Sequence, residues 1–207
     1  MIHPITLNGR QAVPNMELFE DNARLHLSCF PKTGRTTFCL QQAREHIRSG
    51  NRVIWGSENT PDNIRFSQIF SELDISAASR FHAMNTGGEF GRALKEISRA
   101  SGILPGVSLV VIDDWTPIQG RPEKERISAV KSLNEEIDDE CIIILTSSAY
   151  SDASGVEQLK AKGAKELEDI GYSTCYLIRE NDDSRRILKT PEKQYQLLLE
   201  ESGFKQV

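Results

Sequence analysis

An α/β fold, with a mostly parallel sheet flanked by helices and a β-hairpin near the C-terminus, is what this sequence predicts, on two observations. Short apolar runs alternate with longer helical stretches, the rhythm of repeated strand–helix–strand units rather than of a bundle or a sandwich. Leu109–Ile112 and Cys141–Leu145 are apolar at every position, as expected of strands covered on both faces.

In chain order, Leu25–Phe30 reads as a strand and Thr36–Ser49 as the helix that follows it, stopped at Gly50. Arg52–Gly56 is a second strand. Thr60-Pro61-Asp62 has helix-start chemistry ahead of a helix over Asn63–Leu73. Glu89–Ala100 and Glu123–Ile137 are further helices, each leading into one of the two apolar strands. Tyr172–Arg179 and Arg185–Thr190 flank the turn-forming Glu180–Ser184 and read as an antiparallel hairpin. Arg185 and Arg186 then read as ordinary edge-strand charge. A phosphotransferase with an arginine-rich lid would claim the same pair.

The chain has 207 residues, the size of one domain, 1–207, with a core over about 20–190. No apolar run is long enough to span a bilayer, and Met1-Ile2-His3-Pro4 has no signal-peptide character; a cytoplasmic location is expected. A net charge of −5 gives no general basic footprint for nucleic acid. Cys29, Cys39, Cys141 and Cys175 show no metal-ligand or CxxC spacing and are expected as buried thiols. His3, His26, His46 and His82 share no ligand spacing either. Trp55, Trp115 and Phe90 are expected in packing rather than in base stacking.

The informative segment is Cys29-Phe30-Pro31-Lys32-Thr33-Gly34-Arg35-Thr36-Thr37, between a strand and a helix. A phosphate-binding loop has the form G-x-x-x-x-G-K-[ST]: its amides cradle phosphate, its Lys reaches the β- and γ-phosphates, and its hydroxyl holds Mg²⁺. Gly34, Thr36 and Thr37 fit that form. Cys29 stands in place of the first Gly and Arg35 in place of the Lys, a longer, planar cation that does not substitute neutrally. Lys32 and Thr33 complete the candidate phosphate-binding set, and Lys32 offers a substitute cation.

About 80 residues further on, Leu109–Ile112 ends in Asp113-Asp114. A carboxylate closing a buried strand beside such a loop orients Mg²⁺ and its water, so Thr36 and Asp113 are the metal-side candidates. An Asp at a strand end is also common turn chemistry. Glu58, after the second strand, is the candidate general base for polarising a water; a solvated turn Glu is the alternative.

The order of these elements resembles the RecA/RadA superfamily of P-loop ATPases, most closely the short archaeal RadB and RecA-like paralogues. Arg52–Glu58 is similar to the family's strand ending in its catalytic Glu. Leu145–Tyr150 lies where the family has a strand end and a sensor, making Thr146 and Ser148 the sensor candidates. Lys162–Glu168 resembles the family's Gly-Gly-x-x-Leu segment. The resemblance implies a RecA-like core, ATP and Mg²⁺ as ligands, assembly into homo- or hetero-oligomers, and single-stranded DNA as a partner.

The departures imply a weakened member. Ala149 replaces the sensor Gln, Ala164 the second Gly, and the short Tyr150–Ala161 segment contains Asp152 and Glu157 rather than a basic loop. Gly120–Arg126, at the place of the other DNA loop, nearly balances its charges. Lost cationic stabilisation of a transferred phosphoryl costs on the order of 10²–10³ in rate. The expected function is an ATP-binding paralogue with weak or lost hydrolysis, accessory in DNA recombination or repair. The alternative is a non-catalytic RecA-fold scaffold or regulatory subunit.

Overall fold

A computed structural model of the chain describes residues 24–117, 119–151 and 159–207. His3, Asp152 and Glu157 lie outside the described residues.

The elements are β1 (Arg24–Cys29), α1 (Arg35–Arg48), β2 (Arg52–Ser57), α2 (Asn63–Phe70), α3 (Ile75–Ala78), β3 (Phe81–Asn85), α4 (Phe90–Ile103) and β4 (Val107–Asp113). Then follow α5 (Lys124–Glu136), β5 (Ile142–Ser151), β6 (Leu159–Ala161), α6 (Ala164–Glu168), β7 (Ser173–Arg179), β8 (Arg185–Lys189), β9 (Gln194–Glu200) and β10 (Gly203–Gln206). The main sheet runs β10-β9-β8-β7-β1-β5-β4-β2-β3. From β7 to β3 every pairing is parallel, and from β7 to β10 every pairing is antiparallel.

Alternation along the parallel strands builds two cores. Val53, Trp55, Leu109, Val111 and Ile144 face α1 and α2, where Phe38, Leu40, Ile47 and Ile69 meet them. Ile54, Val110, Ile112, Ile143 and Leu145 face the other way, onto Leu94 and Ile97 of α4, Val130 and Leu133 of α5, and Leu167 of α6. Strands covered on both sides have no polar face to spare, which is why they read as unbroken apolar runs. The four cysteines are buried and free. Trp55 and Trp115 are fully buried, and Phe90 packs in the second core beneath the Arg126 guanidinium, 4.0 Å from its ring centre.

The hairpin expected at the C-terminus is the first half of a four-stranded antiparallel extension. Tyr195 and Leu197 alternate inward from β9 while Gln194 and Gln196 stay exposed. This corrects the reading of Arg185 and Arg186. Strand β8 lies between β7 and β9, so it is not an edge, and Arg186 is buried at 2% exposure on the inward side of the pleat. Only Arg185 is exposed.

The last strand is fastened to α1. Gln41 bonds the Phe204 backbone twice, accepting from its N–H at 2.7 Å and donating to its C=O at 2.8 Å. Gly203 permits this approach. Its φ is +117°, and a Cβ would lie 2.5 Å from Gln41 Oε1, so a side chain there meets both strain and collision.

Candidate nucleotide site

Strand β1 delivers its last residue, Cys29, to the carboxyl edge of the sheet, and the chain turns through Phe30–Gly34 into α1. Two residues take left-handed backbone to make the turn: Lys32 at φ 63° and Gly34 at φ 113°. For Gly34 the absence of a side chain is needed twice, because a Cβ would also lie 2.7 Å from the Phe204 ring. Helix α1 then starts with no side-chain cap and no acidic residue in its first turn. That leaves the positive end of its dipole for an anion.

Buried Arg186 braces the loop from below, its Nε donating to the Thr33 carbonyl at 2.7 Å. Arg65 of α2 braces it from the side. Its Nε donates to Thr37 Oγ1 at 2.9 Å, and its two Nη atoms donate to the carbonyls of Glu201 and Glu200 at 2.9 and 3.0 Å. The β9–β10 turn is thereby held over the start of α1. Together they border an open cavity of about 700 Å³ whose lining includes Phe30, Lys32, Arg35, Thr36, Arg65 and Glu201. A volume of that order holds a small-molecule ligand. Burial raises the Cys29 thiol to about 11, against the pull of the Arg35 charge and amide, so it lines the cavity as a neutral group.

The acidic side lies next to the loop. Asp113 ends β4, and its Oδ1 accepts from Thr146 Oγ1 at 2.6 Å while its Oδ2 accepts from Thr36 Oγ1 at 3.3 Å. The Thr146 hydroxyl also accepts from the Asp114 amide at 2.9 Å, which holds Asp114 at a left-handed φ of 60°. Arg35 closes the cluster, with Nη2 2.5 Å from Asp114 Oδ2 and Nε 3.4 Å from Asp113 Oδ1. The Asp114 carboxyl is shifted upward by burial, with Arg35 opposing and Asp113 adding to the shift.

Of the residues singled out in the sequence, Thr33, Gly34, Arg35, Thr36, Thr37, Asp113 and Thr146 come together. Lys32 is exposed at the loop's rim. Ser148 stands opposite Cys29 in the β1–β5 register, at the foot of the loop, half-buried. Glu58 follows Ser57, the register partner of Asp113, and is exposed; its charge reaches Asp114 and Arg126. Arg65, Arg186 and Asp114 were not singled out as site residues. Arg186 had a signal, since it shares the inward parity of Leu188 in a strand with another strand after it. Arg65 had none, because its partners are backbone carbonyls 135 and 136 residues away.

Beneath the site, His26 of β1 is fully buried among Ser147, Thr174 and Trp115, with Nε2 2.8 Å from Ser147 Oγ. Burial lowers its pKa to about 3, so the ring is neutral.

A strand, a left-handed glycine turn and an uncapped helix, set beside a strand-end carboxylate two strands away with a hydroxyl between, form one arrangement at one sheet edge. No family model and no curated protein matches the sequence. Solved structures do match. The RadB recombinase superposes with a TM-score of 0.69 at 16% identity, covering 90% of this chain and 91% of that one. The fold is RecA-like. A KaiC-like protein from the archaeon Pyrococcus horikoshii gives 0.67 at 17% identity, covering 96% and 98% of the two chains. A DnaB-like replicative helicase, solved in a study of its interactions with primase, gives 0.65 at 13% identity; this RecA-like chain is covered over 97% and spans 64% of the helicase.

Proposed function

We propose that this chain is one RecA-like domain that binds ATP at the β1–α1 loop, hydrolyses it weakly or not at all, and serves as an accessory factor in DNA recombination or repair. The observation that carries the binding is the cavity of about 700 Å³ between the start of α1 and the β9–β10 turn, with Arg65, Lys32 and the helix dipole supplying positive potential. In this reading the amides of Gly34–Thr37 and the Thr37 hydroxyl cradle the phosphates. Lys32 supplies the mobile cation, Thr146 and Ser148 sense the ligand, and Glu58 is the base for whatever hydrolysis remains.

Mg²⁺ is a different matter. Thr36 and Asp113 are the right donor types, but both Asp113 oxygens accept hydrogen bonds, and the Arg35 guanidinium spans Asp113 and Asp114. As placed, these residues do not fit a divalent ion. The loss of an available cation at the Lys position supports weak or absent hydrolysis.

The recombination role draws on the likeness to a recombinase and a replicative helicase, and fold alone hosts many roles. A scaffold in a homo- or hetero-oligomer is the second reading, favoured by Ala149 at the sensor position and by a net charge of −5, which gives no general basic footprint for nucleic acid. The test of the first reading is amide-shift mapping by NMR. ATP is expected to move Gly34–Thr37 and Glu200–Gly203, with single-stranded DNA added afterwards to look for a second set of shifts. No shifts in the loop at millimolar ATP would refute nucleotide binding and turn attention to protein partners.

A further inference from the structure

The Arg35 guanidinium is seated against two carboxylates, Asp113 and, set by its left-handed backbone, Asp114. Thr36 Oγ1 lies 3.3 Å from Asp113 Oδ2. The guanidinium bridges the two carboxylates, 2.5 Å from Asp114 Oδ2 and 3.4 Å from Asp113 Oδ1. The Arg35 and Asp113 side chains are only 16% and 12% exposed, so solvent screens the pair little. A guanidinium released from this site would leave two carboxylates facing each other with no counter-charge. A divalent ion entering it would stand next to a fixed positive charge. Each cation therefore excludes the other.

We propose that Arg35 is a built-in cation that takes the place of Mg²⁺, so that the Thr36–Asp113–Asp114 cluster is closed to divalent metal in this protein and opens to it when the guanidinium is removed. The inference goes beyond nucleotide binding and does not depend on it, since the competition is between a side chain and an ion. It also assigns Asp114 a part that no sequence pattern gave it, as the second carboxylate of the cluster. Although the Asp114 side chain is 54% exposed, the arrangement differs from an ordinary surface ion pair. Such a pair has one acceptor and an exposed donor, whereas Arg35 has two carboxylates, and its Nε is buried without an aligned hydrogen bond, held by charge rather than by directional bonding.

The test uses Mn²⁺ alone, without nucleotide, titrated into the full chain and followed by loss of the free-ion electron paramagnetic resonance signal. The wild type is expected to bind Mn²⁺ only at the diffuse level of any acidic surface. Arg35→Met, which keeps an apolar stem of similar reach, and Arg35→Ala are each expected to gain one site at least tenfold tighter. Adding Asp113→Asn to either is expected to abolish the gain. If the folded variants bind Mn²⁺ no better than the wild type, or if the wild type already has the tight site, Arg35 is not a cation in the metal's place. A gain that survives Asp113→Asn places the ion elsewhere and also overturns the proposal. Arg35→Met guards against a truncation that fails to fold, and circular dichroism of each variant is read first. A failed ATP titration would leave this result standing, and a failed Mn²⁺ titration would leave nucleotide binding standing.

Discussion

Around the loop, arginines are tied to backbone oxygens: Arg186 to Thr33, and Arg65 to Glu200 and Glu201. Around Asp113, the arginine is tied to carboxylates, Arg35 bridging Asp113 and Asp114. The difference decides what each can do for an anion. A guanidinium bonded to neutral carbonyls keeps its full charge and is fixed in position at the same time. One paired with two carboxylates has its charge offset by theirs. Among the cations that line the cavity, Arg65 and Lys32 are therefore the ones left to face an anion, while the charge of Arg35, at the sequence position of the usual Lys, is offset by its carboxylates.

The largest expected effect breaks the loop side. Gly34→Val adds a β-branched side chain at φ 113° against the buried Phe204 ring. Left-handed strain of ~1–2 kcal/mol and overpacking of ~1–3 kcal/mol combine to a loss of about 2–5 kcal/mol in urea unfolding. Next is Thr146→Val on the acidic side, which removes the hydroxyl that donates to Asp113 and accepts from the Asp114 amide. A cost of about 2–3 kcal/mol is expected, because it leaves a buried charge-assisted acceptor short; a change below 0.5 kcal/mol would show that the acidic cluster holds itself.

Acid should act through the strand beneath both halves. The folded pKa of His26, about 3, lies below its ordinary 6.5 because burial opposes the charged ring. The unfolded chain takes up its proton first as pH falls, so this contribution is complete above pH 6.5 and is lost downward toward pH 3. The slope is ~1.4 kcal/mol per pH unit, and His26→Gln should flatten it in denaturation curves taken between pH 7 and 5. The smallest effect is expected from Arg65→Ala. It should cost about 1 kcal/mol of global stability, yet hydrogen exchange at Phe204 should accelerate, because the β9–β10 turn loses its clamp while Gln41 still holds the strand.

Elements decided by local pattern are legible in the sequence, and those decided by distant partners are not. Leu109–Ile112 and Cys141–Leu145 announce buried parallel strands because both faces are covered. The Thr33–Thr37 turn shows itself because only glycine accepts the backbone at 34. Strand β3 escapes notice because Phe81–Asn85 is half-exposed and lacks β-branched residues. The antiparallel extension is under-read because the hairpin looked complete at Thr190. Within the site, Thr36, Asp113 and Thr146 are legible from motif positions. The pairing of Arg35 with Asp114 is not, since an arginine in a loop gives no sign of whether it will face phosphate or carboxylate.

The contrast between the two arginines is tested most directly by ATP calorimetry on the wild type, Arg65→Ala and Arg35→Ala, each with and without Mg²⁺. One binding site is expected in the wild type, weakened about tenfold or more in Arg65→Ala, the loss of one charge-assisted contact. Arg35→Ala is expected to change it less than about threefold without Mg²⁺. The reverse order, with Arg35→Ala abolishing binding and Arg65→Ala sparing it, would show that Arg35 leaves the carboxylates to meet phosphate, and would contradict the account.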